Sequence, residues 1–136
     1  MVEHVERLRV ALSDTDAMGV VHYKNVFRFF EVAETELMRK IGYPYSNKWT
    51  AGFPRVQAAV TFKKALRYDD LIDVRVRPSK VGNSSVVFEF AIFKDDDLCV
   101  EGSVTCVAVG KDRSSQPIPP EVREAMVGAS LSRSQD

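Results

Sequence analysis

Apolar and polar residues alternate from Val5 to Leu12 (Val-Glu-Arg-Leu-Arg-Val-Ala-Leu), which predicts a strand with one covered face. From Tyr23 the period changes. Val26, Phe30, Ala33, Leu37 and Ile41 recur at threes and fours, and Phe27, Phe29 and Met38 widen that stripe beyond a simple surface helix. The spacing predicts one long, largely enclosed helix over Tyr23 to Ile41, stopped by Gly42 and Pro44. Four more strand-like segments follow, near 54–66, 71–80, 84–94 and 98–110. Tyr68-Asp69-Asp70, Val81-Gly82-Asn83 and Asp95-Asp96-Asp97 separate them, short connections that fit antiparallel hairpins. Between helix and meander, residues 43–52 mix aromatics with turn formers and read as an ordered loop over a pocket or interface, or as a packed connection.

One strand, one long helix and a four-strand meander predict an α+β fold, a five-stranded antiparallel sheet wrapped around the helix. The edge left over and the loop before the helix need a partner, so a homodimer is the natural expectation. With 136 residues the chain reads as a single domain over 1–136, large enough for a real core. Residues 112–136 form a Ser- and Pro-containing tail in which Pro119-Pro120-Glu121-Val122 predicts a short terminal helix before a frayed end.

Charge narrows the function classes. Nineteen acidic and nineteen basic residues leave no excess of the kind that neutralises a phosphate backbone, which argues against nucleic acid. No apolar run approaches the ~20 residues of a membrane span, and Met-Val-Glu-His-Val-Glu-Arg lacks the apolar stretch of a signal peptide. A soluble, cytoplasmic protein with no stable membrane insertion is expected. Cys99 and Cys106 stand seven apart on one strand, roughly 23 Å at 3.3 Å per residue and on opposite faces, so they are read as unbridged, most simply as apolar fillers, with a reactive thiol the alternative.

The chemistry concentrates in Ser13-Asp-Thr-Asp-Ala-Met-Gly-Val-Val-His-Tyr23, an acidic loop with one glycine running into the helix. A helix start leaves N–H groups without intrahelical partners and carries partial positive charge, so it can hold an oxyanion while a nearby carboxylate attacks or activates water. Asp14 reads as a capping or turn residue. Asp16 differs, because Gly19 lets the chain bend and bring N–H groups toward a ligand at that carboxylate. His22 either orients a substrate or packs at the helix entry, and Glu31 and Glu34 either serve as a general base or pair with arginines or face solvent. Asp-Thr-Asp-Ala-Met-Gly offers too few oxygens for a Ca²⁺ loop, and neither histidine has zinc-spaced companions, so no metal is expected. Nucleophile-elbow, P-loop and dinucleotide fingerprints are absent. The meander carries Lys63, Lys64, Arg67, Arg75, Arg77 and Lys80, read either as a solvated face or, with the Lys80 to Ser84 turn, as a phosphate-binding surface.

The run Asp14-Thr-Asp-Ala-Met-Gly-Val-Val-His-Tyr-Lys-Asn, continued by Phe29-Phe30-Glu31, resembles the hotdog-fold acyl-CoA thioesterases of the 4-hydroxybenzoyl-CoA thioesterase type. The resemblance spans nearly the whole chain and implies the same order of strand, central helix and wrapped meander. It implies that Asp16 is nucleophile or general base and that the Tyr23 backbone N–H polarises the carbonyl, with His22 a further candidate. Gly19, Val20 and Val21 would meet the substrate, and Lys80, Asn83 and Ser84 would meet the phosphates of CoA. The expected substrate is a small aromatic or short-to-medium aliphatic acyl-CoA. CoA is then part of the substrate and no cofactor is called for; dimers or dimers of dimers are the implied assembly. Trp49, Phe53, Tyr45 and Met18 are candidate acyl-pocket residues. Two rivals stand beside this reading. An enoyl-CoA hydratase or dehydratase on the same fold would use Asp16 with His22, although the six-residue spacing suits the thioesterase pattern better. A noncatalytic acyl-CoA or acyl-carrier-protein binding module would keep the pocket and dispense with the acid.

Overall fold

The computed structural model describes residues 1–128, and the expected frayed end of the chain lies outside the described residues. Strand β1 is His4–Arg9, helix α1 is Val26–Lys40, and strands β2 to β5 are Arg55–Phe62, Leu71–Val81, Ser85–Lys94 and Asp97–Val107. A second helix, α2, spans Pro120–Val127. The strands form one antiparallel sheet in the order β1-β3-β4-β5-β2, so the first strand lies beside β3 and β2 forms the opposite edge.

One expectation shifts at the start of the chain. The strand anticipated from Val5 to Leu12 ends at Arg9, and Leu12–Asp14 coils into a 3₁₀ turn. Its covered face is that of Leu8. Val5 and Leu8 are three apart, so a period of two cannot bury both; Leu8 packs on the core while Val5 is 50% exposed.

The long helix begins with a 3₁₀ turn at Tyr23–Asn25 and becomes α-helical at Val26. The Asn25 N–H bonds to the His22 carbonyl three residues back, and the Lys24 N–H bonds to His22 Nδ1, which tightens that turn. Phe29, Phe30, Ala33, Leu37 and Met38 then bury one stripe against Ile72, Val74 and Val76 of β3 and against Phe88, Phe90 and Ile92 of β4. Gly102 sets the depth of that packing. A Cβ there would stand 2.6 Å from the Phe30 ring and 2.8 Å from the Ala59 carbonyl, so glycine allows Phe30 to lie on the sheet, stacked on Phe90 at 4.3 Å.

Enclosure of the helix is one-sided. Helix α1 packs over β3 and β1, and nearly every residue of β2 is exposed, including Val56 and Phe62. The terminal helix expected near Pro119 is present, and Ile118, Val122 and Met126 are core residues packed along β3. Both cysteines are buried and free, on the strand where they were expected.

Candidate active site

The acidic loop folds as a tight hairpin locked at three points. Asp16 N–H bonds to the Val20 carbonyl at 2.8 Å, His22 N–H to the Asp14 carbonyl at 2.9 Å, and Gly19 turns the chain with φ 81°. Val21 N–H bonds to the Leu66 carbonyl at 2.7 Å, which clamps the hairpin to the connection between β2 and β3.

Asp14 is the anchor. Its carboxylate is almost wholly buried, accepts 2.7 and 2.8 Å bonds from Arg28 Nη2 and takes a 2.8 Å bond from the Ala11 N–H. Its carbonyl also accepts the Asn25 side-chain amide at 2.9 Å. The turn reading of Asp14 is therefore correct, and the arginine from the first turn of α1 fixes where the loop meets the helix.

Asp16 sits two residues on and is only half-buried. One carboxylate oxygen accepts the Met18 N–H at 2.8 Å, and the other has no hydrogen bond among the described residues. Tyr23 is the first residue of the 3₁₀ turn, and its backbone N–H likewise has no partner among the described residues. One hairpin thus presents a held carboxylate with a spare oxygen and a helix entry with a spare donor. His22 lies between them in sequence, stacked on the Tyr23 ring at 4.8 Å, with Nδ1 accepting the Lys24 N–H at 3.3 Å. No hydrogen bond joins His22 to Asp16 among the described residues.

Val20 and Val21 line a recess of about 260 Å³ with Val26, Phe62, Leu66 and Val100. A second recess, about 280 Å³, runs beside α1 between Phe27, Phe30, Glu31, Glu34, Arg55, Ala58 and Val104. These hollows lie along α1 on the β2 side of the sheet.

Other expected site residues lie elsewhere. Lys80, Asn83 and Ser84 are on the β3–β4 hairpin, separated from the Asp16 loop by the length of β3, roughly 30 Å at 3.3 Å per residue. That hairpin carries the C-terminal segment: Asn83 O accepts the Ile118 N–H and Arg123, and Ser84 O accepts the Ala108 N–H. Tyr45, Trp49 and Phe53 form an aromatic cluster at that same far end, reaching Phe88, whereas Met18 is 81% exposed at the hairpin tip. Within one chain they do not share a pocket with Asp16. Of the basic residues on the meander, Lys63, Lys64 and Arg77 face Glu101, Asp97 and Glu89, and Arg75 lies over the Phe93 ring, which favours the solvated-face reading.

Glu34 was left open between a base and an arginine partner; it is the partner. Its carboxylate, 3% exposed, meets Arg55 Nη2 at 2.8 Å and accepts the Tyr45 hydroxyl, while Arg55 Nη1 contacts the Cys106 thiol. Burial holds the Glu34 pKa above its ordinary value, with Arg55 and Tyr45 pulling the other way. Burial alone would lower Arg55, but the Glu34 charge raises it, and burial pushes the Cys106 thiol up to about 11. No spacing rule joins residues 34 and 55, so the pair had no signal in the sequence.

A family model described as the thioesterase-like superfamily matches residues 10–126, which takes in the hairpin, α1, the whole meander and most of α2. The chain belongs to that superfamily. Among its relatives, the acyl-CoA thioesterase YbgC of Haemophilus influenzae is 30% identical over 125 residues, 87% of this chain and 90% of the relative. The crystal structure of a hypothetical protein from Aquifex aeolicus superposes with a TM-score of 0.84 at 32% identity, covering 90% of this chain and 98% of that one. A gentisyl-coenzyme A thioesterase superposes with a TM-score of 0.81 at 29% identity over 88% and 98% of the two chains. At 19% identity, the fold alone is shared with a 4-hydroxybenzoyl-CoA thioesterase crystallised with 4-hydroxybenzoyl-CoA, TM-score 0.81. The α+β architecture is therefore the hotdog fold that the Asp14 to Glu31 motif implied. Among the described residues no helix is long and apolar enough to cross a membrane, and no His, Cys, Asp and Glu cluster could hold a metal ion.

Proposed function

We propose that the protein hydrolyses acyl-CoA thioesters at the Asp16 hairpin. The observation that carries this reading is the pairing of a carboxylate oxygen and a backbone donor on one hairpin, Asp16 and the Tyr23 N–H, each without a partner among the described residues. A thioester has a good leaving group, so one placed carboxylate and one placed donor are a sufficient outfit. The Tyr23 N–H takes the carbonyl oxygen as it gains charge. Asp16 attacks the carbonyl carbon or draws a proton from the attacking water, and the thiolate of CoA leaves with the electron pair of the C–S bond; after direct attack, water then cleaves the acyl–Asp16 anhydride and frees the carboxylate.

The recess beside Val20 and Val21 suits the acyl group. Val26, Phe62, Leu66 and Val100 give it an apolar wall, with Lys63 and Lys64 also lining it, and about 260 Å³ fits a single aromatic ring or a short-to-medium aliphatic chain. The hydratase reading needs Asp16 and His22 to act together, and His22 is already engaged in capping the turn.

The protein works as a homo-oligomer built on the β2 edge. Val56 and Phe62 on that strand and Phe27 on α1 are 60%, 52% and 40% exposed, an apolar margin beside the open edge of a strand that pairs only with β5 among the described residues. Pairing two such edges extends the sheet in its own plane and turns the groove beside α1 into a channel between two copies.

The test is thiol release from a panel of aromatic and aliphatic acyl-CoAs by the native protein and Asp16→Asn at matched folding. Loss of about 10³-fold or more in the variant is expected for removal of the nucleophile or base. Hydration of crotonyl-CoA without thiol release would instead move the assignment to a hydratase, and binding without turnover in both proteins would leave only a binding module.

A further inference from the structure

The recess beside the Asp16 hairpin carries two groups that a plain alkyl or aryl pocket would not need. Beside its apolar wall of Val20, Val26, Phe62 and Val100 it is lined by Lys63 and Lys64, and no carboxylate lines it. Consecutive residues of an extended chain point to opposite faces, so two adjacent lysines on one hollow need a local cause. Strand β2 ends at Phe62, and beyond it the Lys63 and Lys64 N–H groups both bond to the Cys99 carbonyl, at 2.8 and 3.1 Å. Two residues thus stand against one of β5, the arrangement of a bulge, which re-aims a side chain that strict alternation would send to the far face.

Neither ammonium group is locked in place. Lys63 meets Glu101 and Lys64 meets Asp97, each at 3.3 Å, but all four side chains are 44% to 65% exposed, and ion pairs so open to water hold little energy. An ammonium group has three donors, so one carboxylate partner leaves donors over for a ligand. The lysines are also tied to the chemistry. Val21 N–H bonds to the Leu66 carbonyl at 2.7 Å and Val20 pairs with Arg67, which fixes this segment to the hairpin that carries Asp16. Lys64 is two residues from Leu66, at most about 7 Å of extended chain. A thioester with its carbonyl at Asp16 and its acyl chain in the recess therefore brings the far end of a short chain within reach of a lysine side chain. A carboxylate cannot enter an apolar hollow unpaired, because it gives up its hydration for nothing in return. Two ammonium groups on the wall supply that return, and a plain alkyl chain makes no use of them.

We propose that Lys63 and Lys64 select acyl groups that end in a carboxylate, so that the substrate class is the CoA monothioester of a short-to-medium dicarboxylic acid. The proposal rests on the acyl-CoA reading and concerns only the end of the acyl group remote from the thioester. Lys63 and Lys64 set specificity and touch no reacting atom; they hold the substrate's carboxylate away from Asp16, which would repel it.

The test compares adipoyl-CoA with hexanoyl-CoA, acyl groups of equal chain length that end in a carboxylate or a methyl. Thiol release and binding of both thioesters are measured on the native full chain, on Lys63→Met/Lys64→Met and on Asp97→Asn/Glu101→Gln. Methionine keeps an apolar stem like that of lysine, so the wall stays and the charge goes. The native protein is expected to favour adipoyl-CoA by at least about tenfold in kcat/KM. The methionine variant should lose at least about tenfold on adipoyl-CoA and move by less than about twofold on hexanoyl-CoA. Freeing the lysines from Asp97 and Glu101 should raise the adipoyl preference further, which loss of a merely structural ion pair would not do. A native protein that cleaves hexanoyl-CoA as well as adipoyl-CoA would overturn the proposal. So would equal losses on both substrates in a folded methionine variant, or an adipoyl preference that does not rise when the acidic partners are removed. If thiol is released from neither thioester nor from benzoyl-CoA, the thioesterase reading falls by itself and binding decides the selection: tighter, lysine-dependent binding of adipoyl-CoA upholds it, and equal binding of the two thioesters ends it.

Discussion

Replacing Tyr23 with proline deletes one backbone hydrogen and leaves nearly everything else in place. Proline is tolerated at the first position of a helical turn, and Tyr23 opens the 3₁₀ turn that leads into α1. The residue before a proline must be extended, and His22 already is, at φ −66° and ψ 135°. No hydrogen bond is broken, because the Tyr23 N–H has no partner among the described residues. The side chain is 67% exposed, so its removal uncovers about a third of its surface, on the order of 1–2 kcal/mol at 25 cal/mol per Å². Tyr23→Ala loses that same surface and keeps the N–H. The comparison of Pro with Ala therefore isolates the donor.

If that N–H polarises the thioester carbonyl, Tyr23→Pro should fall below Tyr23→Ala in kcat by roughly 10²–10³, or about 2.7–4 kcal/mol of transition-state stabilisation, with KM changed far less. Thiol release under saturating acyl-CoA, on variants whose urea midpoints agree, reads this directly. Equal kcat in the two folded variants would refute the oxyanion assignment and leave Asp16 to be explained without it.

Three further outcomes follow from the packing. Arg28→Ala strips the buried Asp14 carboxylate of its charged partner and should cost about 2 kcal/mol by urea denaturation, with a fall in kcat although Asp16 is untouched; Arg28→Lys should recover part of both. Gly102→Ala drives a methyl into the Phe30 ring and the Ala59 carbonyl and should destabilise by about 1–3 kcal/mol, measured as a lower thermal midpoint. Arg55→Met leaves the Glu34 carboxylate buried with only Tyr45, a loss of about 3 kcal/mol at neutral pH, near the lower end for a broken buried pair because the Arg55 site is partly open to solvent. Burial already holds Glu34 above its ordinary value and Arg55 opposes that rise, so the variant's folded state keeps a proton that the unfolded chain releases near pH 4.3. Its stability should therefore decrease as pH rises from about 4 through the folded value, by up to about 1.4 kcal/mol per unit, and denaturation at pH 5 and pH 8 should show the larger loss at pH 8.

Legibility in the sequence followed the range of the forces involved. Helix α1 was readable because five apolar residues at threes and fours report a face that packs, whatever it packs against. Its opening 3₁₀ turn was not, since that depends on the His22 imidazole bonding a neighbouring N–H, a choice of rotamer. Asp16 stood out through a local motif, and its hairpin is local too. The far-end chemistry was hidden because it is assembled from distant segments: Glu34 from the helix, Tyr45 from the loop, Arg55 from an edge strand and Cys106 from its neighbour. Which face of β1 is covered was illegible for a related reason, as Val5 and Leu8 lie on opposite faces and only the position of α1 decides between them.

That position follows from dimensions. Five strands at about 4.8 Å spacing make a sheet about 19 Å across between its outermost backbones, while a helix with its side chains is about 10–12 Å wide. One helix therefore covers two or three strands and no more. Seated by Phe30 on Gly102 and by the Asp14–Arg28 lock, α1 lies over β1 and β3 and touches β5 at Gly102, and β2 is left exposed along nearly its whole length. A bare apolar strip is a cost in a free chain, and it is offset only if something else lies on it. The recesses beside Val20 and beside Phe27 both lie along this strip, with Val20 and Val21 of the Asp16 hairpin at one end of it and Arg55 at the other. The fold that places the carboxylate thus also makes the groove: a second helix over β2 would bury the strip, satisfy the sheet and leave no path along which a long thioester substrate could reach Asp16.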